Sequence, residues 1–115
     1  MTWYMKKGSK YGAKKQEYNG RKYDSKKEAG KAQELDLLLK AGKIIEIQPQ
    51  FRINLVVNGY KICTHLVDFY IKWANGDEEL LEIKGFATEI WRLKRKLLEA
   101  TYLKENPHIK YTVEY

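Results

Sequence analysis

Asp68, Glu82 and Lys84 are charged residues with apolar neighbours on strand-forming segments, and their spacing gives them a shared location. Glu82 and Lys84 are two apart, so on a strand their side chains leave the same face. Ala74-Asn75-Gly76-Asp77 is a turn sequence that folds Tyr60–Trp73 back against Glu79–Lys84 and brings Asp68 beside Glu82 to Lys84. Two carboxylates and one ammonium thus meet at one spot. Carboxylates this close repel, and burial sharpens the repulsion unless a cation sits between them. Mg²⁺ takes hard oxygen ligands and is often held by one or two carboxylates with water and phosphate; Mn²⁺ is expected to substitute. Such an ion would polarise a phosphodiester oxygen and lower the pKa of an attached water. Lys84 would orient or deprotonate that water, or stabilise charge in the transition state. The competing account is a solvated cross-strand ion pair. Apolar neighbours on both strands, Val67, Phe69, Leu81 and Ile83, argue against it.

A fourth acid comes from the first helix. Ser25 and Glu28 match a capping box, Asp24 adds negative charge, and Ala29, Ala32, Leu35, Leu38 and Leu39 recur at helical spacing. The helix is expected over Lys26–Ala41, ending at Gly42. Glu28 shares the face of Ala32, Leu35 and Leu39, which turns it toward the sheet; the capping box alone would also explain a glutamate there. Downstream, Phe51, Ile53, Leu55 and Val57 alternate, Asn58-Gly59 signals a tight hairpin, and the return strand runs from Tyr60 to Trp73. A second helix is expected over Thr88–Lys104. Its buried side is read as Ile90, Leu93, Leu97 and Ala100, widened by Trp91, Leu98 and Tyr102, with Arg92, Arg95, Lys96 and Glu99 opposite. Asn106-Pro107 ends it, and His108–Tyr115 alternates as a last strand. The expected fold is α/β in the order α-β-β-β-α-β, a mixed sheet flanked by helices.

The 115 residues suffice for one core, and no apolar run approaches the ~20 residues of a membrane span. A single cysteine, Cys63, excludes an internal disulfide and a Cys-rich zinc cluster and fits a cytoplasmic setting. Net charge is +7, which favours polyanionic partners, nucleic acid foremost. Residues 1–20 read as a flexible basic arm with interspersed aromatics, and residues 21–115 as the single domain. Lys14, Lys15, Lys26 and Lys27, with Arg92, Lys94, Arg95 and Lys96 on the second helix, are candidate phosphate contacts. Free N–H groups at the start of that helix, just past Lys84, are a further candidate. Trp91 reads as core. His65 and His108 stand isolated, with nothing in the sequence to pair them as ligands.

Asp68, a hairpin, then Glu82-Ile83-Lys84, preceded by a helix carrying Glu28, resembles the PD-(D/E)XK nuclease superfamily, with Val67 where the family name has proline. The expected order of elements agrees with that superfamily's restriction-endonuclease-like core from Ser25 onward. The resemblance implies a metal-dependent DNA endonuclease in which Asp68, Glu82 and Glu28 hold Mg²⁺ and Lys84 is catalytic. Lys-Tyr-Gly-Ala-Lys-Lys, Tyr-Asp-Ser-Lys-Lys-Glu-Ala, Gln-Pro-Gln-Phe, Val-Asp-Phe and Glu-Ile-Lys-Gly are similar to small phage-encoded proteins of the Holliday-junction-resolvase kind. That likeness implies branched DNA as substrate, a role in phage replication or recombination, a homodimer, and the host cytoplasm. The alternative is a non-catalytic nucleic-acid-binding module, or a subunit of a restriction or transposition assembly.

Overall fold

The computed structural model describes residues 16–18, 21–23 and 26–115. Lys14, Lys15 and the rest of residues 1–15, as well as Asp24 and Ser25 of the expected capping box, lie outside the described residues. Gln16–Tyr18 (β1) pairs antiparallel with Arg21–Tyr23 (β2), so a two-stranded ladder runs across the arm boundary expected at residue 20.

Helix α1 spans Lys26–Lys40. It stops in a Schellman arrangement: the Gly42 N–H donates to the Leu39 carbonyl and the Lys43 N–H to the Leu38 carbonyl. Gly42 has φ +79, a conformation that a side chain would strain. Strands β3 (Ile44–Val57) and β4 (Tyr60–Trp73) then form a long hairpin. Its two-residue turn has φ 51 at Asn58 and 82 at Gly59, both positive as a type I′ turn requires. Strand β5 (Glu78–Ile83) pairs antiparallel with β4, and β6 (Ile109–Glu114) pairs parallel with β5. The four-stranded order is β3-β4-β5-β6, a mixed sheet within the expected α/β layout.

The connection from β5 to β6 contains α2 (Glu89–Ala100) and the short α3 (Tyr102–Glu105). One continuous helix was expected over Thr88–Lys104. Thr101 interrupts it at φ −116, ψ −84, with its hydroxyl donating to the Leu97 carbonyl at 2.6 Å. The buried face also differs from the expected one. Trp91 and Leu98 are the buried residues of α2, whereas Ile90 and Leu93 are 69% and 60% exposed. The stripe is rotated because the large indole of Trp91 has a polar edge to satisfy inside, where its Nε1 donates to Glu82 Oε1.

Both faces of the sheet are packed. Ala32 and Leu35 of α1 cover Ile44, Phe69, Ile71 and Leu81, while Leu98 of α2 covers Ile53, Leu55, Val67, Leu80 and Ile109. Among the described residues no helix is long and apolar enough to cross a membrane.

Candidate functional site

Strand alternation breaks at one latitude of the long hairpin, and the charged residues gather there. Val67 packs toward α2 and Phe69 toward α1, although residues two apart on a regular strand share a face. The same switch occurs on β3, where Ile47 packs toward α1 and Phe51 toward α2. Between the pairs Pro49–Phe69 and Phe51–Val67 stand Gln50 and Asp68. Gln50 has φ +54, a left-handed conformation costing roughly 1–2 kcal/mol for a residue with a side chain. Its amide donates to Glu28 Oε2 at 2.8 Å. Glu28 is buried, as its helical face led one to expect, and it is tied to the twist point of the hairpin.

Asp68 sits where β4 and β5 part. The last ladder pair is Phe69–Leu81, and one residue further the Ile83 N–H donates to Asp68 Oδ2 at 2.6 Å. The carboxylate therefore substitutes for a strand partner and lies against the backbone between Glu82 and Lys84. Lys84 falls one residue past the end of β5, not within it, though its N–H still bonds the Glu114 carbonyl at 2.7 Å.

Glu82 faces α2. Its carboxylate is 2% exposed as a residue and accepts from three elements at once. His65 Nε2 of β4 lies 3.0 Å from Oε2, Trp91 Nε1 of α2 donates to Oε1 at 3.2 Å, and the Tyr111 hydroxyl of β6 donates to Oε2. Burial pushes the Glu82 carboxyl up, but the hydrogen bond and charge of His65, then the Tyr111 and Trp91 bonds, outweigh it and hold the group below its ordinary value. Lys84 Nζ lies 5.0 Å from the centroid of the same Trp91 ring, so Glu82 and Lys84 share Trp91 as a neighbour. The side-by-side placement expected for these two residues is met.

His65 is not isolated, contrary to the expectation from sequence, and His108 also has a partner, with Nε2 3.1 Å from Glu78 Oε2. Gln50, His65, Trp91 and Tyr111 are the site neighbours that sequence reasoning did not assign to it. Only the full sheet register, which puts β6 beside β5, could have pointed to Tyr111. The expected group of three acids is not assembled. Among the described residues no cluster of three or more His, Cys, Asp or Glu side chains is placed to hold one ion. Glu28 is turned to Gln50, and Glu82 to its three donors.

The candidate phosphate contacts divide. Lys26, Lys27, Arg92 and Lys96 are exposed. Lys94 is half-buried and donates to the Thr64 carbonyl at 3.2 Å. Arg95 lies 5.7 Å from the ring centroids of both Trp91 and Tyr111, which places it over the site and not on the face opposite the sheet. At the start of α2 the Thr88 hydroxyl accepts the Trp91 N–H at 3.1 Å, so one of the free amides expected there is already capped.

Two residues from Asp68 on β4, a second tyrosine–carboxylate pair offers a pH test of the packing. Tyr70 stacks on Phe51 with ring centroids 5.1 Å apart and donates to Glu78 Oε1 at 2.6 Å. Burial, then the Glu78 bond and charge, push its phenol up to about 12 from 10.0. A pKa raised by folding stabilises the fold below the unfolded value and loses that contribution as pH rises through the folded one. Stability owed to Tyr70 should therefore be intact below about pH 10 and gone above about pH 12. An ultraviolet titration of the native protein against Tyr70→Phe checks this: the difference should show one phenol ionising late. A difference curve centred near the free-tyrosine value would contradict the buried pairing.

The sequence model of a family described as "Protein of unknown function (DUF1064)" matches residues 8–114. No curated protein matches the chain.

Proposed function

The chain belongs to the DUF1064 family, and from that premise we propose that it is a metal-dependent endonuclease hydrolysing DNA phosphodiester bonds, with branched DNA of the Holliday-junction type as substrate. The observation that supports this reading is the 2.6 Å bond from the Ile83 N–H to Asp68, which sets one carboxylate against the backbone between a second carboxylate and an ammonium. Asp68 and Glu82 offer hard oxygens from adjacent strands, the donor type Mg²⁺ takes, and two such groups with water and substrate phosphate suffice for it. Three donors occupy three of the roughly four acceptor positions of the Glu82 carboxylate, leaving capacity for a cation. Among the described residues no third ligating side chain stands with them, so water and substrate phosphate would have to complete the ion's shell. When bound, it would activate water and polarise the scissile phosphate.

The chain's own groups supply the rest. Lys84, braced against Trp91, donates to phosphate oxygen as negative charge builds there. Glu28 acts at one remove, holding Gln50 and with it the twist that presents Asp68. Exposed Lys26, Lys27, Arg92 and Lys96 contact the phosphate backbone, and Mn²⁺ replaces Mg²⁺. Two active sites for two strands call for a homodimer, working in the cytoplasm of a phage host during replication or recombination.

One observation favours a second reading, a non-catalytic nucleic-acid-binding module or assembly subunit: Glu82 already has three hydrogen-bond donors, and Glu28 accepts from Gln50. Titrating Mg²⁺ or Mn²⁺ against a synthetic four-way junction, a linear duplex and single strands separates the two. Metal-dependent scission of the junction, stopped by a chelator, is the expected result. Binding without scission at any metal concentration would leave the second reading.

A further inference from the structure

The loop between β5 and α2 carries the most exposed large apolar side chain among the described residues. Phe86 is 79% exposed, and it stands two residues past Lys84 and two before the helix cap Thr88. Two residues of chain span about 7 Å at most, so the phenylalanine stays close to Lys84. Nothing lies within 4 Å of where a Cβ on Gly85 would be, so this stretch of loop is uncrowded. Ile90 and Leu93, 69% and 60% exposed, follow on one side of α2 at a spacing of three. Arg92 and Lys96, at a spacing of four, form an exposed cationic row beside them. The inward turn of Trp91 accounts for the exposure of Ile90 and Leu93, but it does not account for Phe86, which lies outside the helix.

Charge decides what such a surface can meet. From Lys84 to Leu98 five cations stand against one acid, Glu89. Glu89 is in the first turn of α2, where the helix dipole favours a carboxylate. A second copy docked about a twofold axis would bring these cations against themselves. A nucleic acid brings phosphates to the cations and base faces to the ring. In a continuous duplex the base faces are covered by their neighbours. They open where the stack is interrupted, as at the branch point of a junction. We propose that Phe86 is a specificity-determining residue that stacks on a base left open at a DNA branch, while Arg92 and Lys96 hold the flanking phosphates. The role rests on the nucleic-acid part of the reading above and needs no metal ion.

Binding of a four-way junction and of a linear duplex, both in the presence of a metal chelator, tests it. Phe86→Ala should weaken junction binding by about tenfold to a hundredfold and leave duplex binding within about twofold of wild type. Phe86→Trp, which keeps an aromatic face, should retain junction affinity. A fluorescent adenine analogue at the branch should change its emission on binding the wild-type chain and lose that response with Phe86→Ala. A thermal melt of Phe86→Ala should superpose on that of wild type, because the ring is exposed. Equal losses on junction and duplex, or no loss on either, overturn the proposal. So does a Phe86→Ala chain that changes from dimer to monomer in sedimentation while binding the junction as before, since the ring would then belong to a contact between copies. Failure of the wild-type chain to bind either DNA would instead sink the nucleic-acid reading itself, and the stacking role with it.

Discussion

Lys84→Ala is expected to lower metal-dependent junction cleavage by about 10²–10⁴-fold while changing junction affinity by no more than a few-fold. The asymmetry follows from where the ammonium lies. Lys84 is half-buried with its ammonium 5.0 Å from the Trp91 ring centroid, and it follows Ile83, whose N–H holds Asp68, one residue past the end of β5. On the proposed reading, a charge so placed would meet one phosphate, the one being cut. Affinity is the sum of many phosphate contacts, and a chain of net charge +7 loses little of that sum with one lysine. Removing the cation–π contact should cost about 0.5–1 kcal/mol of stability, too little to unfold the domain. Single-turnover cleavage and a binding titration in Ca²⁺, on the same preparation, give the two numbers. Cleavage by Lys84→Ala at the wild-type rate would refute the enzyme.

How much of this could be read from the chain depended on whether a residue's partner was local. The Asn58-Gly59 turn, the Gly42 helix stop and the facing of Glu28 are decided within a few residues, and all three are found as expected. The pairing of Asp68 with Glu82 to Lys84 needed only one hairpin, and it too was legible. Alternation then misleads at Asp68. Val67 and Phe69 would share a face on any regular strand, and only the twist at Gln50, a conformation no composition signals, sends them to opposite layers. The same applies to His65. Its partner lies on another strand, and the groups completing that cage come from α2 and β6, so no spacing rule could have joined them.

The second helix failed for a different reason. Period 3.6 allows two adjacent stripes when apolar residues stand at 90, 91, 93, 97 and 98, and hydrophobicity alone does not choose between them. The choice was made by a polar atom. Trp91 turned inward places its indole N–H on Glu82, and burial of the ring without that acceptor would leave a donor unsatisfied. Ile90 and Leu93 were consequently left outside. A carboxylate that seems misplaced in a core thus decides which face of a neighbouring helix is buried.

That account predicts a steep contrast among apolar truncations. Phe69→Ala should destabilise the protein by about 3–5 kcal/mol, because the ring is 0% exposed and its removal opens a void among Ala32, Leu35, Ile71 and Leu81 that rigid strands cannot close. A domain of this size is stable by about 5–15 kcal/mol in total, so the variant should be close to unfolding. Ile90→Ala and Leu93→Ala remove aliphatic side chains from positions 69% and 60% exposed, and each should fall within about 0.5 kcal/mol of wild type. Urea denaturation decides between them: the Phe69→Ala midpoint should drop with little change in slope, since the same surface is exposed on unfolding. Were Leu93→Ala to cost as much as Phe69→Ala, α2 would be seated on the stripe first read from the sequence. Trp91 would then face away from Glu82, and the carboxylate would lose the indole N–H that Oε1 accepts.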